Sequence, residues 1–207
     1  MDLGTGDGRS VIDRARREVD TLVIGIDASP AAMAETSRRA ARAPRRGGLP
    51  NALFVVAAAE HPPIELAGVA DELSIIFPWG SLLAGALALD PAAADGIASL
   101  VAPMGCVRIL ASVVDDDRLA LAPLNASDVT GLTARWSCHG LRLTSFRPAT
   151  GAELDASGSS WARRLAAGQR RPTWRIELVK EDGTPERRGD APATAAVGAT
   201  DVPRPAR

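Results

Sequence analysis

The 207-residue chain contains no tyrosine, three phenylalanines, two cysteines, two histidines and a single lysine, Lys180. Two cysteines, Cys106 and Cys138, are too few for a disulfide framework or a cysteine-based zinc site, and they fit a reducing cytoplasm. His61 and His139 show no metal-ligand spacing to each other or to the cysteines, so no metal centre is expected. No apolar run approaches the ~20 residues that a membrane span requires. Met1 is followed at once by Asp2 and a glycine cluster, which is unlike a signal peptide. Net charge is also lacking, at −1, and 46% of the residues are hydrophobic, which excludes a disordered protein outside the ends. The length suits one globular domain. Every basic residue except Lys180 is arginine. Such a bias follows GC-rich coding as readily as nucleic-acid binding, so position carries more information than number.

Strand-like and helix-like segments alternate, which predicts an α/β fold with a mostly parallel sheet. Strand candidates are Leu22–Asp27, Ala52–Val56, Leu73–Phe77 and Val107–Val114, followed by Leu141–Phe146 and Trp174–Val179. Ser29-Pro30 offers an N-cap and an N1 proline for a helix running to about Ala43, and Asp90-Pro91 opens a second one through Leu100. The domain is expected over 1–179, and 180–207, rich in Gly, Pro, Ala, Thr and charge, reads as a disordered tail.

Asp2-Leu3-Gly4-Thr5-Gly6-Asp7-Gly8 carries glycines at alternate positions, a turn that lets backbone approach a ligand without Cβ atoms in the way. Nineteen residues beyond Gly8, Asp27 ends a strand, where an acid can hydrogen-bond a ribose diol. Spacing of GxGxG rather than GxGxxG argues against a dinucleotide, and the D-x-G-x-G-x-G form resembles motif I of class I S-adenosylmethionine-dependent methyltransferases. Such a loop normally follows the central strand of the sheet, yet Gly4 stands three residues after Met1. The first strand is therefore expected to be missing, through a late-assigned start or a fragment, with a compromised sheet and weak cofactor binding as the consequence.

Phe77-Pro78-Trp79-Gly80-Ser81 follows the fourth strand, where this fold presents its catalytic loop. Phe77 lacks the side-chain oxygen that amino-group methyltransferases carry there. A neutral ring nitrogen such as adenine N1 needs no general base, so positioning and stacking supply most of the catalysis, and Trp79 suits stacking; a lone tryptophan is otherwise a core residue. A second tryptophan, Trp161, lies in Ser159-Ser160-Trp161-Ala162-Arg163-Arg164-Leu165-Ala166, continuing to Gly168-Gln169-Arg170-Arg171. No acid interrupts the run from Ala156 to Ile176, whereas solvated helices mix both signs. Arg38, Arg39, Arg42, Arg45 and Arg46 form another cluster within nine residues, with Arg38 and Arg42 expected on one helical face.

The segments DLGTGDGR, GIDAS, RRGGLPN, AAAE, FPWGSLL and SWARRLAAGQRR, in this order, resemble the 16S rRNA adenine-N1 methyltransferases of kanamycin–apramycin resistance. The resemblance covers most of 2–101 and 157–176, and FPWGSLL and SWARRLA are its specific parts. It implies a class I fold with a seven-stranded sheet and S-adenosylmethionine held by Asp2, Gly4, Thr5, Gly6, Asp27, Ala59, Glu60, Ile76 and Ser81. It also implies that Trp79 and Trp161 sandwich a flipped adenine, the decoding-site base conventionally numbered 1408, with Ser159 nearby. Stacking is worth about 1–3 kcal/mol per base, enough on two faces to offset unstacking. Arg38, Arg39, Arg42, Arg45, Arg46, Arg164, Arg170 and Arg171 would contact 16S rRNA in the assembled 30S subunit, positioning without reading sequence. The enzyme would act in the cytoplasm as a monomer and confer aminoglycoside resistance.

Some parts depart from the family. Gln169 stands where a relative has a basic residue, and Ala43 interrupts the first basic cluster. The region from about Asp115 to Ala134 is shorter than the corresponding linker and without an alignable motif, and Trp136 and Trp174 match no base-binding position. Two other readings remain open on the sequence: a truncated, inactive rRNA-binding remnant, and a small-molecule methyltransferase. The arginine clusters and paired tryptophans count against the latter.

Overall fold

The computed structural model describes residues 1–114, 121–158 and 171–182. Ser159, Trp161, Arg164, Arg170 and the tail beyond 182 lie outside the described residues. Seven strands form a single sheet: β1 (Asp2–Leu3), β2 (Val23–Asp27), β3 (Ala52–Val56), β4 (Ala70–Ile76), β5 (Val101–Ala111), β6 (Leu141–Pro148) and β7 (Trp174–Lys180). Their order is β3-β2-β1-β4-β5-β7-β6. β1 to β5 pair in parallel, and β7 is antiparallel to both of its neighbours. Lys180 pairs with Leu141, so the residue expected to begin a tail is the last of β7.

The expectation of a missing first strand is corrected. Two residues occupy the central position: Asp2 aligns with Gly25 of β2 and Ser74 of β4, and Leu3 with Ile26. Met1 extends the pairing, because its amino nitrogen donates to the Glu72 carbonyl and its own carbonyl accepts from Ser74 N at 2.9 Å. Leu3 is 2% exposed, and burying such a side chain contributes about 1.5–3 kcal/mol. A strand this short has no readable alternation, which is why the pattern does not show it.

Helices α1 (Arg9–Arg17) and α2 (Pro30–Ala40) pack beside β2 and β3, while α3 (Gly80–Ala86), α4 (Pro91–Leu100) and α5 (Val129–Ser137) contribute to the main core. α6 (Gly151–Ala156) follows β6. Alternation along β2 serves both faces: Val23 joins Val11 and Ala15 of α1, whereas Ile24 and Ile26 enter the larger core. Trp136 of α5 is fully buried there, and Trp174 stacks on Phe146 with ring centroids 4.5 Å apart, so both are packing residues.

Proline sets both expected helix starts. Asp90 caps α4 by accepting from Ala93 N at 3.1 Å. Ser29 holds the N-cap position of α2 without a side-chain cap; its N–H instead donates to Asp27 Oδ1 at 2.8 Å. α2 stops at Ala40 rather than Ala43, because Pro44 holds Ala43 in extended backbone. Arg42 thus lies in the following turn, and its expected sharing of a helical face with Arg38 is corrected.

Glu72 on β4 ties three elements together. Its carboxylate pairs with Arg14 of α1 at 2.8 Å and with Arg108 of β5. Burial pushes the carboxyl up, but the charges and hydrogen bonds of both guanidinium groups outweigh it and hold the group below the usual carboxylate range. A depressed carboxylate stabilises the fold above its unfolded pKa, and that stabilisation is lost as pH falls through the folded value. Glu72→Gln is therefore expected to cost about 1–3 kcal/mol at neutral pH. The gap to the parent chain should close in acid below the ordinary carboxylate pKa of about 4.3, as read by urea midpoints from pH 7 downward. A pH-independent gap would refute the ionic role.

Candidate active site

The chain crosses from β3 to β4 on the far side of β1, so the sheet reverses its winding beside the carboxyl end of β1. Open α/β sheets bind ligands at this switch point. A cleft of about 730 Å³ lies there, lined by the loops that leave β1, β2, β3 and β4. That volume is in the range of small-molecule sites.

The glycine loop forms its floor. Gly4 has φ +77°, and a Cβ on it would stand 2.4 Å from Leu82 Cδ2. Above Gly6 nothing lies within 4 Å of a Cβ position, so the backbone is open to a ligand. Asp2, 8% exposed, holds the loop in shape: its Oδ2 accepts from Thr5 Oγ at 2.9 Å and Ser10 Oγ at 2.5 Å, and its Oδ1 from Ser74 Oγ at 3.1 Å. These three hydroxyls link the loop, α1 and β4. At the carboxyl end of β2, Asp27 Oδ2 accepts from Gly6 N and Oδ1 from Ser29 N, both at 2.8 Å. A carboxylate has about four lone-pair sites, so two remain for a diol.

All nine residues expected at the cofactor, Asp2, Gly4, Thr5, Gly6, Asp27, Ala59, Glu60, Ile76 and Ser81, line this cleft. Trp79 lines it as well and is 61% exposed, which excludes the core role. Its turn is strained: Phe77 has φ +50° while its N–H donates to Leu110 O at 2.8 Å. A non-glycine residue in this region costs about 1–3 kcal/mol and persists where the surroundings enforce it, often at functional sites. Arg171, read as an rRNA contact, also lines the cleft, next to Ser112 at the end of β5. Ser112 Oγ donates to Pro172 O at 2.7 Å and fixes the chain as it approaches β7. Sequence reasoning missed Ser10, Ser74 and Ser112, single hydroxyls outside any motif. The five arginines of the first cluster are all exposed, on the last turn of α2 and the turns after it, outside the cleft lining.

A cleft with an open glycine floor, a carboxylate with lone pairs to spare at the end of β2 and small apolar walls at Ala57, Ala58 and Ala59 fits S-adenosylmethionine. Sheet and cleft together define a class I S-adenosylmethionine-dependent methyltransferase. The family model NpmA, 16S rRNA (adenine(1408)-N(1))-methyltransferase, matches residues 1–180, and the chain belongs to that family. It is 35% identical over 177 residues to the 16S rRNA (adenine(1408)-N(1))-methyltransferase of Streptoalloteichus hindustanus, covering 83% of this chain and 81% of that protein. Identity to the Escherichia coli protein of the same name is 30% over 184 residues, 85% of this chain and 84% of that one. Among solved structures, a variant of the Catenulisporales acidiphilia enzyme with cosubstrate SAM superposes with TM-score 0.79 at 33% identity, covering 88% of this chain and 85% of that one. The antibiotic-resistance methyltransferase Kmr gives TM-score 0.74 at 33% identity, covering 88% and 86%.

Proposed function

We propose that the chain methylates N1 of adenine 1408 in 16S rRNA within the assembled 30S subunit, as a monomer in the cytoplasm, and so confers aminoglycoside resistance. The observation that carries this reading is Trp79, an exposed indole held by a strained turn at the rim of the cofactor cleft. Family membership and the exposed arginines support it. Within 1–179, Gly4, Gly6 and Thr5 would hold the methionine end of the cofactor, Asp27 the ribose, and Ala59, Glu60, Ile76 and Ser81 the remaining walls. Asp2 acts on the loop through Thr5 and Ser10.

Bound there, S-adenosylmethionine supplies a methyl group on a positively charged sulfur. The protein needs no general base, because the N1 lone pair of neutral adenine lies in the ring plane and is free to attack. Trp79 offers one stacking face for the extruded base, and Trp161 is assigned the other, with Ser159 beside it. Stacking restricts the ring to a plane in which N1 faces the methyl group, and orientation of this kind lowers the barrier. Arg38, Arg39, Arg42, Arg45 and Arg46 would dock on rRNA phosphates, and Arg164, Arg170 and Arg171 would hold the strand near the target.

The test is reverse transcription across 16S rRNA from 30S subunits treated with the full chain and cofactor. An N1-methyl group blocks Watson–Crick pairing, so a stop at adenine 1408 is expected. Its absence with a folded, cofactor-binding chain would reject the target, and unchanged aminoglycoside sensitivity of cells bearing the modification would reject the resistance role.

A further inference from the structure

The residues Arg45-Arg46-Gly47-Gly48-Leu49-Pro50-Asn51 lead from the first arginine cluster into β3. Three of them are engaged inward. Gly48 is buried, and a Cβ on it would stand 1.6 Å from the Arg42 carbonyl oxygen, so no other residue fits without moving the turn. Leu49 N donates to Ala40 O at 2.9 Å, and its side chain packs with the cluster of Val11, Ala15 and Val23. Asn51 Nδ2 lies 2.9, 3.1 and 3.1 Å from the carbonyl oxygens of Ala15, Glu18 and Thr21. With three acceptors around it, the amide has one sensible orientation. It satisfies carbonyls at the end of α1 that have no partner within the helix. The Asn51 carbonyl accepts from Val23 N at 2.8 Å, so the same residue fastens both α1 and β2.

The arginines face the other way. Arg38, Arg39, Arg42, Arg45 and Arg46 are exposed, and none forms an ion pair with another described residue; Arg38 Nε bonds only the Ala34 carbonyl. Arg14, Arg108, Arg147 and Arg175, by contrast, each hold an acid. Five cations without an ion-pair partner among the described residues, on the last turn of α2 and the pinned turns after it, make a surface for a polyanion.

We propose that Asn51, with Gly48 and Leu49, is a positioning residue for rRNA docking: it clamps the turn to α1 so that the arginines present a fixed phosphate-binding face. This rests on the docking role of the arginines proposed above. Because the turn is ordered before contact, association does not bear the entropy of ordering its backbone.

The test measures binding of the full chain to purified 30S subunits over a range of salt. Asn51→Ala and Gly48→Ala are each expected to weaken binding about tenfold near physiological salt. Each should also reduce the slope of log affinity against log salt by about 2, the signature of roughly two lost phosphate contacts. KM for 30S should rise, with kcat at saturating 30S and cofactor affinity unchanged. A lower melting temperature with an unaltered salt slope would show a merely structural role and overturn the proposal. Should Asn51→Ala fail to fold, Gly48→Ala decides by the same slope, since its added Cβ presses on the Arg42 and Ala40 carbonyls and not on α1. Arg42→Ala, Arg45→Ala and Arg46→Ala combined in one chain separates the two readings. Unchanged 30S binding there overturns the docking role and the clamp with it. Weakened binding there, with both clamp variants binding like the parent, leaves docking intact and refutes the clamp alone.

Discussion

Replacing Trp79 by alanine is expected to lower methylation of 30S subunits roughly 5- to 150-fold, the equivalent of about 1–3 kcal/mol of lost base stacking. The structure limits how this loss can arise. Trp79 is 61% exposed and stands at the N-cap of α3, so its removal opens no core cavity and the melting temperature should hold. Affinity for S-adenosylmethionine should also survive, since among the described residues none of the polar contacts that shape the glycine loop involves the indole. Phenylalanine should restore part of the rate, because it keeps a smaller π-face on the same turn. Trp161→Ala is expected to behave alike if that ring supplies the opposite face. The measurements are single-turnover methylation and the reverse-transcription stop at adenine 1408. A stop of full intensity in the double alanine variant would end the stacking account, and loss of cofactor binding alongside activity would point to a packing role.

Asp27→Ala should weaken S-adenosylmethionine binding roughly 10- to 150-fold, which corresponds to one charged hydrogen bond of about 1.5–3 kcal/mol. Two effects contribute. The free lone pairs that would receive the ribose hydroxyls disappear, and Gly6 N loses its 2.8 Å partner, so the open stretch of the loop is released. Asp27→Asn is expected to be nearly as damaging despite equal size. Both carboxylate oxygens already accept from backbone N–H groups, and an amide must turn its NH2 toward one of them. Titration calorimetry would detect either change. An unaltered dissociation constant in the alanine variant would remove Asp27 from the cofactor site.

How far these roles are legible in the sequence depends on how local their physics is. Ala52–Val56 is legible to the residue, as a short apolar run closed by turn signals. Asp27 is legible from the glycine loop and the strand end. β1 is not, because two residues have no periodicity and only the two flanking strands make them a strand. Nor is α1 obvious: its buried face is Val11, Ile12 and Ala15 within RSVIDRARR, where charge dominates the pattern. The turn that leads to the exposed Trp79 holds Phe77 at positive φ, a tertiary effect that no propensity of phenylalanine would suggest. Asn51 carries no such signal of its own, and its side chain meets the Ala15 and Glu18 carbonyls only because α1 ends against it.

The antiparallel course of β7 has a consequence for how such a protein diversifies. Pro148 at the end of β6 pairs with Trp174 at the start of β7, so the whole connection between them leaves and re-enters the sheet at the cofactor edge. The ladder of these two strands already brings the ends of that connection together, and loop-closure entropy grows only as the logarithm of length, by about 0.6 kcal/mol per doubling. Added length between those two points therefore costs little closure entropy, while the parallel strands that carry the cofactor site keep their register. The connection between Pro148 and Trp174 can therefore change in length without shifting the parallel strands, whereas the residues on it that line the cleft, Ser157, Gly158 and Arg171, tie any exchange of this segment to the donor site.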